Sequence, residues 1–404
     1  MRTLIALAMG RASRKIIRSV RYGGGSAVPG TIASKIQPKL FEIAIKRFPQ
    51  GLIVVSGSSG KSSTTKFLVQ ILQNQGLSVF TNPSTANIKQ GLFSAVLQGS
   101  KWLSLPKADI AVIEMDEAYA AAIGAPLQPR LSIITNVMDE QLDRFMDSEN
   151  VVSALRKLSL ASKQVLANGN DPKLAKLKAD NFHFFGLSTS LSQKEEAPRY
   201  SVSTASPIEN LDFEIIGESP LKMRSKNSVY ELPTKAQGLH MTINFGAAIS
   251  AAELIVTNID HNKLGETADT LQGVYGRDTR EVIRGVDSRI LLVQNRESFR
   301  LNLLQAETAE QLFLAIGTDV KDPSWLWGVD FHKLNRVDIL SGHHATPMKY
   351  RLQSCGVETQ LLQPNFEKAL NEFIQMEPPT NGERVFMVTA DTFRRMKRIL
   401  ELSS

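Results

Sequence analysis

Short apolar runs alternate with helical patterns along most of the chain. Runs at 52–56, 78–81, 110–114, 131–135 and 165–167 have strand length and are too short for helices. Between the first two, Phe67, Leu68, Ile71 and Leu72 recur at helical spacing, which predicts a helix over 61–74 with Gly76 placed to end it. Such βαβα alternation predicts an α/β fold: a mainly parallel sheet with helices on both faces. The pattern resumes near the C-terminus, with strand candidates at 290–293, 311–315, 336–340 and 385–388. A closing helix there carries Phe393, Met396, Ile399 and Leu400. Residues 187–236 differ: they are polar, rich in Ser, Lys and Glu, and contain Pro207, Pro220 and Pro233. An irregular or antiparallel insertion is expected there. The first 48 residues are basic, and the glycines and prolines of 23–30 predict a loop. Three regions follow: a basic segment 1–48, a central domain 49–272 and a smaller α/β domain 273–404.

With 404 residues the chain is long enough for two or three domains, and 42% hydrophobic with 22% charged residues is globular composition. The formal net charge of +7 comes with no long basic run, so nucleic acid is not implied; an anionic small molecule or acidic membrane surface fits as well. Cys355 is the only cysteine, which excludes an internal disulfide and a thiolate zinc cage, so zinc is not expected. One cysteine without a recognisable nucleophile motif also argues against glutaminase activity in this chain. No apolar span reaches the length a transmembrane helix needs. The start, Leu4-Ile5-Ala6-Leu7-Ala8-Met9, is interrupted by Arg11, Arg14, Lys15 and Arg18. It reads as a basic amphipathic helix, docked on the body or touching anionic lipid.

The strongest chemical signal is Ser56-Gly57-Ser58-Ser59-Gly60-Lys61-Ser62-Ser63, between an apolar strand and a helix. That is the context of a phosphate cradle, with backbone N–H groups from Gly57 to Ser63 turned to the ligand and the helix N-terminus adding favourable dipole charge. Lys61 would reach the terminal phosphates of ATP, and the Ser62 hydroxyl would hold Mg²⁺. A second strand ends in Glu114-Met115-Asp116-Glu117. Strand carboxyl ends gather on the ligand side of a parallel sheet, so Glu114 is expected as a second magnesium ligand.

These segments, in order, resemble the MurT family of the Mur ligases. The short Gly-x-x-Gly-Lys-Ser loop is the Mur form; Val55 stands where the longer P-loop has glycine. Gly23 to Gly30, Asn82-Pro83-Ser84-Thr85-Ala86-Asn87, Glu114-Met115-Asp116-Glu117, Thr135-Asn136 and Gln141-Leu142-Asp143-Arg144-Phe145 are similar to family motifs. Asn244-Phe245-Gly246 resembles the helix whose asparagine touches adenine, and Gly276-Arg277 resembles an interdomain pair whose arginine contacts phosphate. Asp322-Pro323-Ser324-Trp325-Leu326-Trp327 opens a block similar to the family's tryptophan block. The resemblance implies a Mur ligase-type ATPase domain followed by a Rossmann-like one, and ATP-dependent amidation of the second-position D-glutamate of lipid II. Ammonia would come from a GatD-like glutaminase partner. Lys61 and Arg277 would stabilise the transferring phosphoryl. Asp319, or else Asp322, would orient the histidine of the partner's Cys-His pair. A cytoplasmic protein, peripheral at the inner membrane face, is implied.

Three departures stand out. The family's four-cysteine zinc ribbon is missing, and 187–236 occupies its place. Asp139-Glu140 stands where Arg-Asp is usual, and Gly328 replaces an aspartate of the tryptophan block. Two rival readings remain: an amino-acid ligase resembling folylpolyglutamate synthetases, and a non-catalytic nucleotide-binding scaffold. His343-His344 reads as a polar loop and Cys355 as a small buried residue.

Overall fold

The computed structural model describes residues 1–20, 27–83, 86–101, 103–138, 148–200, 205–225, 228–233, 238–270 and 278–402. The chain forms two compact units, Met1–Gln272 and Gly273–Ser404. Among the described residues no helix is long and apolar enough to cross a membrane.

The strands of the first unit are β1 (Leu52–Ser56), β2 (Val79–Thr81), β3 (Ile110–Glu114), β4 (Leu131–Ile134), β5 (Gln164–Asn168), β6 (Phe182–Leu187), β7 (Phe213–Gly217), β8 (Leu221–Ser225) and β9 (Ser228–Leu232). They make one sheet in the order β2-β3-β1-β4-β5-β6-β7-β8-β9. All pairings as far as β7 are parallel. Strand β1 lies between β3 and β4 and is buried along its whole length, which explains its unbroken apolar run. The helices here are α1 (Arg2–Val20), α2 (Ala27–Ile36), α3 (Leu40–Ile45), α4 (Lys61–Asn74) and α5 (Lys89–Gly99), followed by Ser148–Ala161, Leu239–Ile255 and His261–Thr270. One core, with Phe67, Leu68, Ile71 and Leu72, lies beneath α4 and Leu239–Ile255. The other packs α1, α2, α3 and α5 on the opposite face. Gly76, at φ +94°, ends α4 as its position predicts.

Two expectations change. Residues 27–30 are not loop but the first turn of α2, where Pro29 has no required N–H to lose; residues 23–26 lie outside the described residues. The basic N-terminal segment belongs to the same compact unit as the sheet.

The polar insertion prolongs the main sheet. Strands β7, β8 and β9 form an antiparallel meander whose Ile215, Leu221, Met223 and Leu232 are buried in the core under Leu239–Ile255. Gly246 of that helix lets Ile215 come so close that an added Cβ would sit 2.4 Å from Ile215 Cδ1. Alternate buried and exposed positions in β8 explain the polar sequence: only one face is covered. Apolar packing thus anchors the polar insertion.

The second unit contains β10 (Asp278–Ile283), β11 (Val286–Leu292), β12 (Ala309–Ile316), β13 (Arg336–Gly342), β14 (Glu358–Gln363) and β15 (Glu383–Val388). The order is β10-β11-β15-β12-β13-β14, parallel except for the β10–β11 hairpin. Helices Arg296–Gln305 and Ala345–Ser354 contribute to the core on one face, Phe366–Ile374 and Ala390–Leu400 to the core on the other. Buried Cys355 lies in the first of these cores.

Ile215→Ala should lower stability by about 2–5 kcal/mol, the usual cost of emptying a buried aliphatic site. A zinc chelator should leave the unfolding midpoint of the native chain unchanged. Denaturant unfolding checks both.

Candidate nucleotide site

The phosphate loop leaves β1 at the centre of the sheet, on the edge where the strand carboxyl ends meet. Val55 pairs with Glu114 and Ser56 with Ile134, so Ser56, Glu114 and Thr135 share that edge. Chain connections diverge on either side of β1, which is where an open α/β sheet forms its ligand crevice.

Loop conformation is fixed from outside. The backbone N–H of Ser58 donates to Asn136 O at 2.9 Å, and that of Ser59 to Asn136 Oδ1 at 2.8 Å. Asn136 Nδ2 and Thr135 Oγ1 donate back to Ser59 O at 3.1 and 2.6 Å. Two glycines make the turn possible. Gly57 has φ +120° and faces Thr135 and Asn136, while Gly60 has φ +83° and caps α4. A Cβ on Gly60 would lie 2.2 Å from Asn244 Oδ1, so the Asn244 side chain sits directly against the loop backbone. T-shaped packing of Phe67 and Phe245, with centroids 5.6 Å apart, holds that helix against α4.

Lys61 is the cation of the site. Its Nζ donates to Gly57 O, to Ser58 O at 3.0 Å and to Glu117 Oε1 at 3.0 Å, and both side chains of the ion pair are largely buried. Glu117 is therefore a site residue to which sequence reasoning assigned no role, although the acidic end of β3 signalled it. Glu114 is buried at the end of β3. Its backbone is clamped by Asn82, and its Oε1 accepts from Asn87 Nδ2 at 3.2 Å.

Hard oxygen donors suit magnesium. Ser62 and Glu114 meet that requirement, and the buried hydroxyls of Ser63 and Thr64 make no hydrogen bond among the described residues. Buried polar groups are ordinarily satisfied, so unmet hydroxyls beside a phosphate loop fit a site completed by a polar ligand. Among the described residues no three His, Cys, Asp or Glu side chains cluster as a metal site. That is compatible with Mg²⁺, which usually takes one or two protein ligands and fills the rest of its shell with phosphate and water.

A second buried carboxylate was missed. Asp171, just beyond β5, accepts from Val137 N at 2.6 Å and from Lys173 N at 2.9 Å, tying down the segment that grips the loop. Burial pushes its carboxyl up to about 6. Its signal was the turn Asn168-Gly169-Asn170-Asp171-Pro172 following a strand.

The remaining expected residues are elsewhere. Arg277, with Gly276, Ser84, Thr85, Asp139, Glu140 and residues 141–145, lies outside the described residues. Asp319 and Asp322 belong to the second unit, beyond the carboxyl end of β12. Asp319 Oδ1 accepts from Thr389 Oγ1 at 2.8 Å, at the mouth of β12 and β15. Asp322 caps the 3-10 turn Pro323–Gly328 through Ser324, and those hydrogen bonds hold its carboxyl below the usual range. Trp325 and Phe331 pack edge-on to Phe299, while Trp327 stays half exposed. His344 Nε2 pairs with Val320 O at 2.7 Å, a structural contact in a polar loop.

Residues 55–252 match the family described as Mur ligase middle domain, and residues 293–392 match MurT ligase C-terminal. Fold and phosphate loop together define an ATP-dependent ligase of the Mur type, acting in peptidoglycan synthesis. Among solved structures, MurF ligase from Thermotoga maritima in complex with ADP has a similar fold (TM-score 0.67, 19% identity, covering 91% of this chain and 83% of that one). The subunit MurT of lipid II isoglutaminyl synthase from Streptococcus pneumoniae is 26% identical, over 84% of this chain and 83% of that protein. Its Staphylococcus aureus counterpart (strain COL) is 23% identical over 90% of both. The chain thus resembles MurT subunits over most of its length, with its C-terminal part matching the MurT ligase model.

Gly60→Ala should weaken nucleotide binding at least about tenfold in calorimetric titration, because φ +83° and the Asn244 contact both resist a Cβ. For Asp171 the folded pKa of about 6 exceeds the ordinary aspartate value of 3.8, so the folded state binds the extra proton. Its contribution is fully present below the unfolded value and is lost as pH rises to the folded one. The stability of the native chain minus that of Asp171→Asn should therefore fall by up to roughly 3 kcal/mol between about pH 4 and 7. A difference that rises with pH in denaturant unfolding would contradict the assignment.

Proposed function

We propose that this ligase amidates the α-carboxylate of the second-position D-glutamate of lipid II, with ATP as activator and ammonia from a GatD-like glutaminase. The observation that carries this reading is the loop of residues 56–63 with Lys61 paired to Glu117, in a chain whose C-terminal part matches the MurT family. Its curated relatives are named as subunits, which supports a partner chain.

A carboxylate is a poor electrophile because expelling its oxygen is difficult. One carboxylate oxygen attacks the γ-phosphorus of ATP, ADP departs, and the acyl phosphate carries a good leaving group. Ammonia then adds to the carbonyl carbon, inorganic phosphate leaves with the original carboxylate oxygen, and a proton is lost to give the amide. Loop N–H groups and Lys61 stabilise charge on the transferring phosphoryl, and Arg277 is assigned to the same task. For the lysine this requires its ammonium to exchange loop carbonyls and Glu117 for phosphate oxygens. A magnesium ion held by Ser62 and Glu114 would neutralise the terminal phosphates. Asn244, beside Gly60, is assigned to the nucleotide.

Asp319 is assigned to the glutaminase, because Asp322 is committed to its own turn. An amino-acid ligase of the folylpolyglutamate synthetase kind is disfavoured by the MurT C-terminal match, and a non-catalytic scaffold by the Lys61–Glu117 pair at the loop.

Lys61→Ala should lower turnover by about 10²–10³ or more, as loss of a transition-state charge contact does. Mass spectrometry of lipid II should show acid converted to amide by the native pair alone; turnover surviving the substitution would contradict the role of Lys61. Asp319→Asn should depress glutamine-driven amidation and spare ammonium-driven amidation. Asp322→Asn, which keeps the cap, should spare both; the reverse pattern would exchange the two aspartates.

A further inference from the structure

Helix α1 is held to the body by one face only. Ala6 and Leu7 are fully buried. Gly10 meets α5 so closely that a Cβ would lie 2.6 Å from Leu97 Cδ1. Arg11 Nη1 donates to Ser100 O at 2.7 Å, and Gln37 Nε2 to Thr3 Oγ1 at 3.3 Å. These contacts fix the rotation of the helix and decide which side chains look outward.

The outward side is apolar. Met1, Leu4, Ile5 and Met9 are 97%, 49%, 44% and 54% exposed, and Ala8 and Ala12 complete their stripe. The spacing i, i+3, i+4, i+7, i+8, i+11 is that of one helix face. Over three turns the helix thus offers water the face that an ordinary surface helix hides. Exposed large apolar residues elsewhere among the described positions are scattered and form no comparable stripe along one helix.

Charge selects the occupant. Exposed Arg2 and Lys15 border the stripe. Residues 1–41 contain eight Lys and Arg and no Asp or Glu, the first acid being Glu42. The other 363 residues hold 39 basic and 40 acidic side chains, so the whole positive excess sits in this segment. A protein partner would need an acidic rim around an apolar groove. An anionic bilayer supplies both elements at once, with headgroup phosphates for the cations and acyl chains for Leu4, Ile5 and Met9.

We propose that the outward face of α1 is a membrane-docking surface, seating Met1, Leu4, Ile5 and Met9 at the headgroup–acyl boundary of an anionic leaflet. It deepens the proposed function and rests on that reading for its purpose, since a substrate carried on a lipid must be met at the bilayer surface. Burial of a few side chains and a few cations gives reversible adsorption, not insertion.

Vesicle co-sedimentation of the full chain tests it, with phosphatidylglycerol mixed into phosphatidylcholine against phosphatidylcholine alone. The native chain should bind the anionic vesicles and release with added salt. Leu4→Gln/Ile5→Gln/Met9→Gln should weaken binding at least about tenfold. Arg2→Gln/Lys15→Gln should weaken it by about fivefold per cation, on anionic vesicles only. All five positions are exposed, so thermal midpoints should be unchanged. No binding by the native chain, or binding that both variants retain, overturns the proposal. So does a change of oligomeric state or of glutaminase capture caused by the apolar triple variant, because a protein would then cover the face. Amidation of a water-soluble muropeptide with ammonium chloride separates this from the functional reading. If the native chain amidates it but ignores vesicles, docking fails and the function stands. If it binds vesicles and amidates nothing, the function fails and docking stands.

Discussion

Everything at the nucleotide site depends on how the segment after β4 grips the phosphate loop. A loop of two glycines and several serines has no rigidity of its own, and each ordered residue costs about 1–2 kcal/mol of backbone entropy. Thr135 and Asn136 offset that cost with four hydrogen bonds to Ser58 and Ser59. Asp171 holds the next residue, Val137, through its backbone N–H. Loop and clamp come from β1 and β4, which are neighbours in the sheet, so the cradle inherits the stiffness of the strongest part of the fold. The pre-formed turn can then present N–H groups to phosphate without reorganising.

Placement of Lys61 follows from the same constraint. Its ammonium is partly withdrawn from solvent, charge-balanced by Glu117 and solvated by two loop carbonyls. A buried cation without partners would be expensive. Here the partners keep it near the position where terminal phosphates would arrive, and Glu114 stands on the same acidic strand end. The buried helix Leu239–Ile255 adds a second restraint, through Asn244 against Gly60 and Phe245 against Phe67.

Much of this is legible in the sequence. The buried strands β1 and β3 announced themselves as unbroken apolar runs with their observed limits, because both of their faces are covered. Helix α4 was visible from its spacing and from Gly76. Less regular elements were harder to read. Strand β6 is aromatic and contains His183 and Gly186, which blur its period, and β14 is a partly exposed edge strand reading Glu-Thr-Gln-Leu-Leu-Gln. Pairing of Lys61 with Glu117 depends on side-chain direction that periodicity does not carry. Asp171 was invisible as a clamp because its partner, Val137, is remote in sequence.

The two units divide the work differently. The first concentrates its buried charge around one loop. The second is built around the covered parallel strands β12, β13 and β15, with Asp319 left exposed at a strand mouth and hydrogen-bonded by Thr389. A carboxylate so placed is fixed enough to orient a group and open enough to be reached. The insertion β7–β9 also shows how a sheet edge can be maintained by aliphatic packing.

In the proposed reaction this loop makes an acid reactive by transferring a phosphoryl group to it. Transfer of ¹⁸O tests that directly: lipid II labelled with ¹⁸O in the glutamate α-carboxylate is turned over with ATP and ammonium chloride, and the released phosphate is weighed. One labelled oxygen in each phosphate is the predicted result. Unlabelled phosphate accompanying amide formation would contradict the account.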